Sequence, residues 1–228
     1  MVLHIDLETF SSVNLKKAGL YKYVQSPDFE ILLFAYAYDN DPVTVIDMAQ
    51  GEKLTEQLIY DLKNPEVIKM AHNAAFEFYC LSKFYVTKLE QWRCSMVHAL
   101  YCGYPASLDA VGEAMNFPQD KKKLGIGRSL IKFFCVPCKP TNKNDQRTRN
   151  LPKHDLKRWK LFKEYCRQDV VTERTIEDAL SFYPVPETEW VNWRIDQLIN
   201  INGVAMDIDL IKGALAISDS IRDELEGR

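Results

Sequence analysis

The feature that most constrains the fold is the segment 30–38, Glu-Ile-Leu-Leu-Phe-Ala-Tyr-Ala-Tyr, in which one glutamate is followed by a run of eight apolar or aromatic residues. Because polar and apolar residues do not alternate in it, the run predicts a strand that is covered on both faces. Further strands are predicted by short apolar or β-branched stretches: an opening strand that carries Asp6 and Glu8 and ends before Ser11, and others at 43–48, 67–71 and around 92–94. Helical patterns lie between and after them, at 54–62, 74–85, 95–102, 107–116 and 154–180. The order predicts a mixed α/β domain of about five strands, with helices on both faces of one sheet.

Composition places the chain among ordinary folded proteins. It has 228 residues, of which 46% are hydrophobic and 27% charged. No apolar stretch approaches the roughly 20 residues that span a bilayer, and no signal-peptide pattern opens the chain. We therefore expect a cytoplasmic protein with no membrane partner and with six reduced cysteines.

Two carboxylates stand one residue apart on the first strand, at Asp6 and Glu8. Alternate side chains of a strand share a face, so both carboxylates point the same way, about 7 Å apart. Like charges held this close favour a hard divalent cation between them, Mg²⁺ or Mn²⁺. The competing interpretation is an acidic strand face exposed to solvent.

Two later motifs carry the same kind of groups. At 71–77, Ala-His-Asn-Ala-Ala-Phe-Glu, a strand end passes into a helix that carries Glu77 in its first turn. At 165–169, Tyr-Cys-Arg-Gln-Asp places Tyr165 and Asp169 four residues apart, on one helix face.

Together the three motifs resemble the signature of the DEDD 3′–5′ exonucleases, in the subgroup with Tyr in the third motif. The chain is most similar to the proofreading domain of family A DNA polymerases of bacteriophages, over residues 3–171. The resemblance implies an RNase H-like fold and hydrolysis of 3′-terminal phosphodiesters of DNA by two Mg²⁺ or Mn²⁺ ions. It implies that Asp6, Glu8, Glu77 and Asp169 bind the metals, and that Tyr165 orients the attacking water. This family usually has Asp where Glu77 stands, and Glu reaches one methylene further.

The resemblance also implies a pocket for the 3′-terminal nucleotide. The residues predicted to contact nucleic acid are Thr9, Phe10, Asn73, Phe76, Arg147 and Arg149. Phe76 could instead belong to the core, and Asn73 could cap the helix that follows it.

Fourteen basic residues lie between Lys121 and Lys163, opposed only by Asp145 and Asp155. This segment, with three prolines, is predicted to be irregular, and either a solvated loop or a surface for nucleic-acid phosphates. Cys135 and Cys138 have the spacing of zinc ligands, but no second pair follows, which favours structural thiols.

The polar stretch at 11–27 is predicted to be irregular, and Tyr183-Pro-Val-Pro is predicted to end the catalytic domain. The resemblance implies that residues 1–183 form the exonuclease domain and that 184–228 is a helical lead-in to a polymerase domain of the same parent chain, in a bacterial host cell. Two alternatives remain open: an RNA-trimming exonuclease of the same fold, or a non-catalytic nucleic-acid-binding domain with a vestigial site.

Overall fold

A computed structural model describes residues 1–121 and 125–227 of the chain. The described residues form one five-stranded sheet. Its strands are β1 (Val2–Phe10), β2 (Glu30–Tyr38), β3 (Thr44–Ile46), β4 (Ile68–Ala71) and β5 (Trp92–Cys94).

The strand order is β3-β2-β1-β4-β5, so the strand that carries Asp6 and Glu8 is the central one. β2 pairs antiparallel with both β1 and β3, whereas β4 runs parallel to β1 and β5 parallel to β4. Parallel neighbours need crossovers, which the helices between β1, β4 and β5 provide. The predicted RNase H-like mixed sheet of five strands is confirmed.

Ten helices are present in the described part of the chain. They are α1 (Leu15–Ala18), α2 (Leu20–Gln25), α3 (Glu56–Lys63), α4 (Ala75–Ser82), α5 (Ser95–Tyr101), α6 (Leu108–Ala114), α7 (Gly127–Phe134), α8 (Leu156–Leu180), α9 (Glu187–Asn202) and α10 (Ile208–Glu226).

Helices cover both faces of the sheet, as the sequence predicted. Leu3, Ile5 and Leu7 of β1 pack into a core with side chains of α2, α3 and α4. Alternation along the strand sends Asp6, Glu8 and Phe10 to the opposite face. That face is covered by α7 and α8, whose aromatic side chains form the second core together with Phe10.

A bulge interrupts the β1–β2 ladder at the end of the acidic stretch. Glu8 pairs with Leu33 and Thr9 with Ile31, which leaves Leu32 as the extra residue. Leu32 and Leu33 both lie in the second core. Since a bulge bends the strand that carries the extra residue, β2 bends here, opposite the end of the acidic stretch of β1.

Two predictions of irregular structure were wrong. The stretch 11–27 contains α1 and α2: the side chain of Asn14 caps α1, and Gly19, at a φ of 82°, turns the chain into α2. The basic segment contains α7, whose buried Leu130 and Phe134 lie one turn apart. The polar and basic residues around these short helices concealed a few inward-facing positions.

The chain divides into two compact units, residues 1–194 and 195–228. The domain boundary expected after Tyr183 stays a prediction. Throughout residues 1–121 and 125–227, every helix is too short or too polar to cross a bilayer.

Candidate active site

The central strand brings the first two carboxylates to the face beneath α8. Asp6 is half-buried and Glu8 is buried, with 7% of the residue exposed. The buried thiol of Cys135, at the end of α7, lies 3.8 Å from Oε2 of Glu8. A charged carboxylate at such depth needs a cation or donors around it.

The helix that follows β4 supplies the third carboxylate. Glu77 lies in the first turn of α4 and is 3% exposed, and its Oε2 has no hydrogen-bond partner among the described atoms. Burial raises the pKa of Glu77 well above its ordinary value of 4.5, and the neighbouring charge of Asp6 raises it further. Glu77 therefore belongs to the same cluster as Asp6, and in the absence of a cation its neutral form is favoured.

The long helix α8 supplies the phenol and the fourth carboxylate. Tyr165 and Asp169 are both buried on its inward face, one turn apart. Burial raises the pKa of the Tyr165 phenol far above 10, and Asp169, Glu8 and Asp6 each raise it further, in that order. Tyr165 also has a side-chain hydrogen bond with Asp169. The phenol therefore stays protonated: it is a poor base, and its O–H donates a hydrogen bond.

These interactions place residues from positions 6 to 169 around one point. Burial raises the pKa of the Cys166 thiol, and the charges of Asp6, Glu8 and Asp169 raise it further. Asp6, Glu8 and Asp169 thus act on the same two side chains of α8, and Glu77 joins this cluster through Asp6.

The donor set fits a hard divalent cation. Carboxylate oxygens are the ligands that Mg²⁺ and Mn²⁺ prefer. Among the described atoms, no hydrogen-bond donor reaches Oε2 of Glu77, so this oxygen could bind a cation. Across residues 1–121 and 125–227, no three His, Cys, Asp or Glu side chains stand ready-made as a ligand group. The carboxylates are therefore neighbours, but within the described residues they do not have the spacing of a formed metal site.

Two residues near this cluster were not predicted from sequence as part of it. Glu173 lies one turn beyond Asp169, is 2% exposed, and pairs with His4 Nδ1 at 2.7 Å. Its charge also acts on Glu77. The four-residue spacing from Asp169 on an inward helix face is the signal that could have identified it. The contact of Cys135 with Glu8 has no such signal, because the two are far apart in sequence.

Three of the six residues predicted to contact nucleic acid, Thr9, Asn73 and Phe76, differ in exposure. Asn73 is exposed with a φ of 66°, and the helix cap behind it is Ala74 without a side-chain bond, so the capping alternative was wrong. Phe76 is half-buried against the first core, 6.3 Å from the Tyr23 ring. Thr9 is buried, and its hydroxyl lies 2.8 Å from that of Tyr23.

Phe10 is buried beneath Arg149. The guanidinium lies 3.8 Å from the ring centroid and also pairs with Glu30, the residue opposite Phe10 on β2, at 2.5 Å. Arg149 therefore clamps the ends of β1 and β2 just beyond the bulge. Arg147 donates instead to Asn150, at 2.8 Å, within its own loop. Contact of Phe10, Arg147 and Arg149 with nucleic acid stays a prediction.

Several other cations of the basic segment have protein partners. Arg158 pairs with Asp155 and Lys163 with Asp47. Lys122 and Lys123 lie outside the described residues. All six cysteines are free thiols. Binding of the segment to DNA stays a prediction.

A comparison with curated proteins gives one close relative. Over 219 residues, 95% of the chain, the sequence is 50% identical to a protein of Bacillus phage SP02. That relative is a DNA polymerase. The chain spans about a third of the polymerase, 34% of its length. No protein-family model matches the chain.

The solved structures that are similar to this one have much lower sequence identity to the chain. A nuclease in its apo form is 14% identical, with a TM-score of 0.45 over 87% of the chain and 80% of its own. Brucella melitensis NrnC is 12% identical, with a TM-score of 0.46 over 91% of the chain and 89% of its own. With TM-scores below 0.5, these likenesses do not bear on function.

Proposed function

We propose that the chain is a 3′–5′ exonuclease domain that removes terminal nucleotides from single-stranded DNA, the proofreading part of a family A DNA polymerase. The observation that carries the proposal is the convergence of Asp6, Glu8, Glu77, Tyr165 and Asp169. Elements far apart in sequence have no reason to bring four carboxylates together, three of them buried, unless a cation offsets their repulsion. The identity with a phage polymerase supports the polymerase context.

The residues have separable roles in this reaction. Asp6, Glu8 and Asp169 would hold divalent cations, with Glu77 as a further ligand, and the bound ions would supply charge neutralisation and an acidified water. The half-buried position of Asp6 leaves it open to substrate phosphate as well as to metal. A site that gathers negative charge before the metal arrives cannot bind a phosphodiester, so metal and substrate binding are coupled.

Tyr165 would position the attacking water. Burial and Asp169 hold its phenol in the protonated form. Its one O–H donates to Asp169, so the phenol oxygen can accept a hydrogen bond from the water but cannot abstract a proton at neutral pH. The hydroxyl is one helical turn from Asp169, and therefore next to any cation that this carboxylate holds.

The test uses single-stranded DNA labelled at its 5′ end, with Mg²⁺ or Mn²⁺. We expect the intact chain to give a ladder shortened one nucleotide at a time from the 3′ end. Asp6→Ala and Asp169→Ala should abolish it while the thermal unfolding transition persists. Asp178→Ala, an exposed carboxylate on the same helix, is the matched control and should retain full activity.

Two outcomes would contradict the proposal. Full activity of either cluster variant would remove the metal site from the reaction. Faster trimming of a matched RNA than of the DNA would favour the RNA-trimming alternative.

A further inference from the structure

A buried glycine lies directly against the ring of Tyr165 in the second core, and this contact suggests a role in the candidate active site. We propose that Gly127, the first residue of α7, is a positioning residue that holds the Tyr165 ring in place against the carboxylate cluster. The inference rests on the proposed function, in which Tyr165 orients water. It extends that function to a residue outside all three motifs.

The evidence is the space that a side chain at this position would need. A Cβ on Gly127 would lie 2.1 Å from Cε2 of Tyr165, 2.5 Å from Cζ and 2.8 Å from Cδ2. Real Cβ atoms do not approach carbon this closely, so the ring and the α7 backbone are in direct contact. The touched atoms include Cζ, which carries the hydroxyl. Any displacement at Gly127 is therefore passed to the group that would hold the water.

The ring has little room to move aside. Tyr165 is 3% exposed, and its ring is stacked at 11° on Phe162, with the centroids 6.2 Å apart. Phe162 is itself fully buried and stacked on Phe134. Cores packed at this density transmit a displacement instead of absorbing it.

Buried side chains further along α7 hold this helix in place. Leu130 and Phe134 are each 1% exposed and anchor α7 in the second core. Two elements therefore contact the Tyr165 ring: Phe162 stacks on it within α8, and the first residue of α7 lies directly against it. This arrangement explains a glycine at a helical position where conformational freedom is not required.

The chain offers a matched control two residues earlier. A Cβ on Gly125 would meet no atom of the described residues within 4 Å. Gly125→Ala and Gly127→Ala therefore make the same chemical change in the same segment, and only the second intrudes on Tyr165.

The kinetic test is a double-mutant cycle on single-stranded DNA. We expect Gly127→Ala to lower kcat by about 10- to 100-fold with KM nearly unchanged, since misplacing a reacting group by about 1 Å can cost roughly 100-fold. Gly125→Ala should behave as the intact chain. In a Tyr165→Phe background, Gly127→Ala should cause no further loss, because the hydroxyl that it misplaces is already absent.

Equal losses from Gly127→Ala in both backgrounds would overturn the proposal, because a merely structural role would act in both. Unchanged kcat in Gly127→Ala would overturn it too. Full activity of Tyr165→Phe would refute both this inference and the role of Tyr165 in the proposed function.

A measurement independent of activity separates the two claims. In protein labelled with 3-fluorotyrosine, the ¹⁹F resonance of Tyr165 is the one missing from Tyr165→Phe. We expect it to shift in Gly127→Ala and to stay in place in Gly125→Ala. An unmoved resonance would refute the contact even if the chain is an exonuclease. A shifted resonance in a chain that degrades no DNA would uphold the contact and refute the proposed function.

Discussion

Glu77 is the residue whose environment departs most from that of an ordinary carboxylate. It is buried beside Asp6, and one of its oxygens has no hydrogen-bond partner. Because its pKa is raised, the folded chain without metal keeps a proton that the unfolded chain releases above about pH 4.5. The free energy of unfolding therefore falls as the pH rises from that value towards the folded pKa, by at most about 1.4 kcal/mol per pH unit for one proton.

Glu77→Gln should remove this contribution, since an amide does not ionise. In EDTA, we expect the variant to gain stability relative to the intact chain as the pH rises above about 4.5. With Mg²⁺ in place of EDTA, the variant should lose hydrolysis. Urea unfolding at several pH values measures the difference. Glu66→Gln, at an exposed position, is the control and should show no such trend. A stability difference that shrinks with rising pH would contradict the account of Glu77.

At the residue scale, the sequence predicts which groups form the cluster, because spacing along a strand or helix decides which side chains share a face. Asp6 and Glu8, and Tyr165 and Asp169, are two such pairs. The contacts of Gly127 and Cys135 with the cluster could not be predicted. Their contacts with Tyr165 and Glu8 join distant segments and have no period in the sequence.

At the scale of elements, the site depends on how α8 lies across the sheet. Asp47, just after β3, is 2% exposed and accepts a hydrogen bond from Trp159 Nε1 at 2.8 Å. The same carboxylate oxygen lies 3.2 Å from Lys163 Nζ. These contacts tie the N-terminal half of α8 to the sheet edge. They therefore help to set the position of Tyr165 above β1.

Asp47→Ala should loosen this attachment. It leaves the buried indole N–H without an acceptor and removes the partner of Lys163, so we expect a loss of about 2–4 kcal/mol in the free energy of unfolding. Lys163→Met keeps the indole bond and removes only a partly exposed ion pair, so it should cost less than about 1 kcal/mol. Urea unfolding, with a lowered midpoint and an unchanged m-value, is the measurement. Equal losses from the two variants would show that the indole bond does not anchor the helix.

At the scale of the whole molecule, the fold was predictable where elements are long and periodic. The buried run of β2 and the inward face of α8 extend over enough residues for their patterns to stand out. The short helices α1, α2 and α7 each bury only a few side chains or none, so local polarity hid them. The strand order places β1 at the centre of the sheet. This is why carboxylates brought by α4 and by α8 can both reach Asp6.

The central claim is that Asp6, Glu8, Glu77 and Asp169 form one metal site. Anomalous diffraction from a crystal soaked in Mn²⁺ tests it most directly. We predict two peaks within about 4 Å of each other, with Asp6 as a ligand of both, and loss of the peaks in Asp6→Ala. Manganese bound elsewhere, or no peak at this cluster at saturating Mn²⁺, would contradict the account.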